Sequence, residues 1–123
     1  MIVLDTSVLI DALTGHRRSG QALRDAIEAG HRIAVPALVM YEWLRGPRVP
    51  PELVAQESLF PSSAALPFGA EEGAVAARLY SRLRGARGRE IDLAIAAHAI
   101  VISSPLWTLN GADFEDIPGL ELW

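Results

Sequence analysis

The chain has 123 residues, half of them hydrophobic, with no cysteine, eleven basic and fifteen acidic residues and a formal net charge of −4. That length predicts one domain over residues 1–123, long enough to bury a little under ~70% of the surface its unfolded chain would expose. The absence of cysteine excludes a disulfide framework, a thiol nucleophile and a thiolate zinc site, and the acidic balance argues against a broad basic surface gripping nucleic acid.

In chain order, Met1 to Leu4 is a short apolar, β-branched run that predicts a strand. Val8, Leu9, Ala12 and Leu13 then recur at helical spacing. Asp5-Thr6-Ser7 forms the junction, where a Thr or Ser hydroxyl is expected to cap the helix. Asp5 reads either as a local cap or as a residue at the carboxyl end of a central strand, where open parallel sheets place their ligands. Gly15 breaks the pattern. Gln21 to Ala29 predicts a helix stopped by Gly30, Arg32 to Val35 a second strand, and Ala37 to Arg45 an apolar helix closed by Gly46 and Pro47. A short helix over Glu52 to Leu59 and a weak third strand over Ala64 to Pro67 follow. Ala70 to Arg84 predicts a helix ended by Gly85 and Gly88, and Ile91 to Ile102 a helix apolar on nearly every face and therefore buried. Leu106 to Leu109 predicts a fourth strand, Asn110-Gly111 a turn and Leu120 to Trp123 an edge strand. Strands alternating with helices imply βαβ units and a mostly parallel α/β sheet.

High apolar content and positive mean hydropathy suit a sheet covered on both faces. The longest uncharged apolar stretch, Leu93 to Ile102, is too short to span a bilayer, and no basic leader precedes the first apolar run. The expectation is a soluble cytoplasmic protein without membrane partners.

Four carboxylates sit in apolar surroundings, where an unpaired buried charge is costly. Asp5 ends the first strand. Glu42, in ALVMYEWLRG, shares its helix with mostly apolar and aromatic residues, and an ion pair with Arg45 is its ordinary explanation. Asp92, in REIDLAIAAHAI, opens the buried helix, where the helix dipole favours an anion. Asp113, in WTLNGADFEDIPGL, follows the fourth strand and reads equally as a turn residue. The coarse topology brings all four toward one edge of the sheet. Carboxylates about 4 Å apart repel by ~4 kcal/mol at an effective dielectric of about 20, so such a cluster calls for a divalent cation. Hard oxygen donors without His or Cys favour Mg²⁺ or Mn²⁺, and a site of this kind suits metal-assisted hydrolysis of a phosphodiester.

The runs VLDTSVLIDAL, EIDLAIAAHAI and TLNGADFEDIPGL, with Glu42 alone in the helix after strand two, resemble in order and spacing the signatures of PIN-domain proteins, most closely VapC-type toxins of toxin–antitoxin pairs. The resemblance covers essentially the whole chain. It implies a three-layer α/β/α sandwich and a Mg²⁺- or Mn²⁺-dependent endoribonuclease whose acids correspond to Asp5, Glu42, Asp92 and Asp113. Asp5, Asp92 and Asp113 are the expected metal ligands, with Glu42 a further ligand or an orienter of the attacking water. Thr6 or Ser7 and Asn110 match supporting positions, and Thr108 is expected to brace the strand end. A cognate antitoxin, an RNA substrate and a homodimer are the implied partners.

All eleven basic residues are arginine, and Arg78, Arg82, Arg84, Arg87 and Arg89 crowd one stretch. They read equally as a solvated helix end and as a phosphate-contacting patch, with Arg82, Arg84, Arg87 and Arg89 the candidate RNA contacts. Asp11 is expected to bond within the first helix, and Glu90 and Asp116 to be exposed neighbours of the key acids. His98 lies about 240° around the helix from Asp92, which predicts a core or surface histidine rather than a catalytic base. His16 and His31 fall near turns, and Trp43, Trp107 and Trp123 read as core or interface residues. A phosphorelay receiver shares the α/β class and an acidic pocket, but this chain has no lysine to complete that site. A PIN fold used for RNA binding or as a scaffold, without turnover, is the remaining alternative.

Overall fold

A computed structural model describes residues 1–15 and 18–123. The first strand, β1 (Ile2–Leu4), is the centre of a three-stranded parallel sheet, flanked by β2 (Ile33–Ala34) and β3 (Leu106–Trp107). Val3 pairs with Ala34 on one side and with Leu106 on the other. Successive strand residues point to opposite faces, and Ile2, Val3 and Leu4 are all fully buried, so both faces of β1 are covered. Among the described residues six α-helices complete the α/β/α arrangement: α1 (Thr6–Leu13), α2 (Arg18–Glu28), α3 (Ala37–Arg45), α4 (Pro50–Leu59), α5 (Ala70–Arg82) and α6 (Glu90–Val101).

α1 buries Val8, Leu9, Ala12 and Leu13, the face that their spacing predicts. α6 buries every residue from Leu93 to Ala99 and packs beside β1 and α5. His98 belongs to that buried run, its ring 5.7 Å from that of Phe68, and burial lowers its pKa. It is a core histidine. Trp43 is also fully buried, whereas Trp123 is half exposed and meets His31 edge to face at 4.7 Å. The turn expected at His16 lies outside the described residues.

The expected third strand reduces to one parallel bridge, Pro36 with Leu66. Its hydrogen bonds run from Ala37 N–H to Leu66 O and from Leu66 N–H to Val35 O, and the pairing ends there because the partner segment enters α3 at Ala37. The expected edge strand likewise becomes a bridge between Leu106 and Leu122. The Asn110-Gly111 turn extends into a 3-10 turn over Gly111–Asp113.

Helix ends shift where a side chain supplies a bond. α4 starts ahead of Glu52, whose carboxylate accepts from the Val49 N–H at 2.9 Å. α2 starts ahead of Gln21, with the Ser19 N–H donating to Asp11 at 2.7 Å. Asp11, expected to bond within the first helix, thus also reaches out of α1 to the first turn of α2.

Candidate active site

Strand order β2-β1-β3 makes the carboxyl end of β1 the point where successive connections diverge to opposite sides, and a crevice forms outside such a point. Here it is a cleft of about 550 Å³ lined by Asp5, Thr6, Ser7, Glu42, Asp92 and Asn110, with Ile10, Asp11, Thr14 and Gly15 completing the wall.

Asp5 extends the β1 ladder, its N–H donating to Trp107 O at 2.9 Å. It occupies the residue before α1 but makes no side-chain cap. Its Oδ2 instead accepts from the Ser7 hydroxyl at 2.8 Å and the Thr108 hydroxyl at 2.7 Å. Two hydroxyl donors offset the cost of burying this carboxylate, which is 4% exposed, and both act on one oxygen. Thr108 also accepts from the Asn110 N–H at 3.0 Å, and Ser7 accepts from the Leu109 N–H at 3.0 Å. These bonds tie the end of β3 to the end of β1.

The hydroxyl cap expected at the start of α1 is not formed, because Thr6 and Ser7 are drawn to the acids. Thr6 donates to Glu42 Oε1 at 2.6 Å, joining α1 to α3. The other carboxylate oxygen of Glu42 accepts from Arg45 at 3.2 Å. The ion pair that explains Glu42 by itself and the cleft-lining position thus coexist, the charged pair on one oxygen and the Thr6 bond on the other.

Asp92 lies in the first turn of α6 and accepts no hydrogen bond from the described residues. Its pKa is pushed up to about 6, first by burial and then by the negative charges of Asp5, Glu42 and Asp113, with Arg89 opposing. Asp113 closes the 3-10 turn and is exposed at the rim. It does not line the cleft, but its charge reaches Asp92.

Arg89, in the residue before α6, bonds Asp116 and the Asp113 carbonyl, and it holds the Asp116 carboxyl below its usual range. Arg82, Arg84 and Arg87 are exposed, as are Glu90 and Asp116. The Arg89–Asp116 pair was not anticipated, since the two residues are far apart in sequence and only the fold brings them together.

Among the described residues, no group of three or more Asp, Glu, His or Cys side chains is disposed to hold a metal ion as it stands. The donor chemistry nevertheless fits a hard divalent cation. The lining acids offer only oxygen ligands, Asp5 has one oxygen without a described hydrogen bond, and Asp92, raised first by burial, also feels the negative charges of Asp5, Glu42 and Asp113.

The PIN domain family model matches residues 2–120. Ribonuclease VapC19 of Mycobacterium tuberculosis is 33% identical over 123 residues, covering 98% of each chain. Solved structures share the fold. The DNA-bound VapBC of Salmonella typhimurium gives a TM-score of 0.81 at 21% identity, over 99% of this chain and 96% of that one. VapBC2 of Rickettsia felis, bound to a promoter DNA fragment, gives 0.76 at 23% identity, over 100% and 98%. With a family match along nearly its whole length and a VapC relative at this identity, the chain belongs to the PIN domain family, among its VapC-type members.

Proposed function

We propose that this chain is a metal-dependent endoribonuclease, the toxin of a toxin–antitoxin pair, hydrolysing RNA phosphodiester bonds at a site built from Asp5, Glu42, Asp92 and Asp113. The observation that carries the reading is Asp92, a partly buried acid that accepts no hydrogen bond among the described residues and whose pKa is raised first by burial and then by Asp5 and Glu42 in the cleft and Asp113 beyond its lining. Such a charge excess destabilises the fold unless something binds it. The Mycobacterium tuberculosis relative is a ribonuclease by name, and the structural neighbours include VapBC assemblies and a toxin–antitoxin complex from Klebsiella pneumoniae, which supports a small cognate antitoxin as partner. An RNA substrate, a homodimer, one functional unit over residues 1–123 and a cytoplasmic location belong to the same proposal. Among the described residues no helix is long and apolar enough to cross a membrane.

Asp5, Asp92 and Asp113 are the residues that would hold Mg²⁺ or Mn²⁺. Such an ion, when bound, supplies charge neutralisation and an activated water for attack on phosphorus. Ser7 and Thr108 fix the Asp5 carboxylate. Thr6 fixes Glu42, which we assign to orienting the attacking water. Asn110 stands on the cleft wall to contact the substrate or its water. Arg82, Arg84 and Arg87 are exposed and available to RNA phosphates.

The open spread of the acids favours one rival, a PIN fold that binds RNA without cutting it. One experiment separates the two. Purified protein is incubated with a generic RNA and Mn²⁺, with and without chelator, beside Asp92→Asn. Cleavage that needs metal and is lost in the variant supports the enzyme. RNA binding without cleavage supports the rival.

A further inference from the structure

Arg89 stands at the threshold of α6, one turn ahead of Asp92. Its guanidinium crosses to the segment after β3. Nη1 and Nη2 donate to the two carboxylate oxygens of Asp116 at 2.9 and 2.7 Å, and Nη2 also donates to the backbone carbonyl of Asp113 at 2.8 Å. Among the described residues these are the side-chain hydrogen bonds that join the start of α6 to residues 110–116. They use the planar fork by which Arg, unlike Lys, can grip several acceptors at once.

The two acids on either side of this bridge have reason to separate. Asp92 is embedded in a helix whose following residues are fully buried, so its backbone is fixed. Asp113 rides on an exposed 3-10 turn held by short-range bonds, among them Asp113 N–H to Asn110 O and Phe114 N–H to Gly111 O. Phe114 and Ile117 anchor the far side of that turn in the core, while the Arg89 bonds link its Asp113 side to the start of α6. Both acids carry the same charge, and the guanidinium is the cation whose charge acts on both. An exposed ion pair contributes little to global stability. Its consequence here is positional, because one of the three bonds is made to the backbone of Asp113 itself.

We propose that Arg89, held by Asp116, is a positioning residue: the clamp fixes the turn bearing Asp113 against the N-terminus of α6 and so sets the spacing between Asp113 and Asp92 at the metal-binding site. This deepens the proposed function and rests on it. It also gives Arg89 a task different from phosphate contact, which is left to Arg82, Arg84 and Arg87.

The test compares wild type, Arg89→Gln, Arg89→Lys, Asp116→Ala and the Arg89→Gln/Asp116→Ala double variant by two readouts. One is amide hydrogen exchange in metal-free protein. The other is the Mn²⁺ dissociation constant, followed by paramagnetic resonance of the free ion. The clamp predicts faster exchange at the Asp113, Phe114 and Glu115 amides in every variant. It predicts Mn²⁺ binding weaker by roughly tenfold, the usual cost of losing a residue that orients a metal ligand. The double variant should be no worse than either single one, because one device has been removed. Lys should fail to rescue, since a single ammonium does not reproduce the fork.

Unchanged exchange in the turn overturns the clamp, as do additive losses in the double variant or full affinity in Arg89→Lys. So does a salt dependence of RNA binding that falls by about one charge in Arg89→Gln but not in Asp116→Ala, which would make Arg89 a phosphate contact. Should Arg89→Gln fail to fold, exposed Asp116→Ala carries both readouts. A wild type that binds no Mn²⁺ overturns the metal-dependent reading of the site, whereas variants that match a Mn²⁺-binding wild type overturn the clamp alone.

Discussion

Asp5 carries two hydroxyl bonds on one oxygen, so removing a donor changes the acid's orientation while leaving its charge in place. Thr108→Val keeps volume and branching and should lower metal-dependent RNA cleavage by roughly tenfold, with far-UV dichroism unchanged. Removing the charge should do more. Asp5→Asn and Asp92→Asn alter volume very little and are each expected to abolish cleavage with the fold intact; wild-type rates from either folded variant would sink the assignment. Asp92 also predicts a pH dependence. Its folded pKa of about 6 lies above the ordinary carboxyl value, through burial and then the neighbouring acids, so the folded chain binds its proton more tightly than the unfolded one. The resulting stabilisation is complete below about pH 4 and is lost as pH rises through about pH 6. Metal-free wild type should therefore lose more melting temperature than Asp92→Asn between about pH 5 and about pH 7.5, a difference read from paired thermal melts. Equal losses would mean that Asp92 titrates as an ordinary exposed acid.

The elements that present these residues depend on the backbone at their ends. Gly88 precedes Arg89 with φ of 89° and nothing within 4 Å of an added Cβ, so Ala there meets no clash, only a conformation that L residues rarely adopt. Gly88→Ala should cost about 1 kcal/mol or more, seen as a lower denaturant midpoint. Gly73, inside α5, is the contrasting case. An added Cβ would make an ordinary contact with Phe68 at 3.7 Å, so Gly73→Ala should stabilise by roughly 0.5–1 kcal/mol. Opposite signs in one chemical-unfolding experiment would check both positions. The helices carrying Glu42 and Asp92 were legible in the sequence because apolar spacing in α3 and all-round apolarity in α6 survive without tertiary information. The strand expected over Ala64 to Pro67 shortens to one bridge because its partner segment enters α3 at Ala37, a limit that a short apolar run does not reveal. The fate of the Thr6 hydroxyl was equally hidden. Local sequence shows a helix start in need of a cap, whereas Glu42 arrives there only through folding.

For the whole molecule, the proposed metal site implies a trade of stability for binding. In the metal-free chain Asp5, Glu42, Asp92 and Asp113 load one end of the sheet with like charge, and Asp92, raised first by burial and then by the other three acids, is where that load falls. A divalent cation that binds only the folded chain must relieve it. At about a hundredfold excess of free Mn²⁺ over its dissociation constant, linkage supplies about 2.7 kcal/mol, which for a domain near this size raises the melting temperature by several degrees. Asp92→Asn should invert the pattern. It should melt higher than wild type in chelator at neutral pH, because one repelling charge is gone, and gain less from Mn²⁺, because a ligand is gone too. The crossing of the two melting curves along a Mn²⁺ titration at constant ionic strength is the expected signature. If variant and wild type respond alike, Asp92 serves only as an anion at the start of α6, favoured by the helix dipole, and the metal site must be rebuilt from the remaining acids.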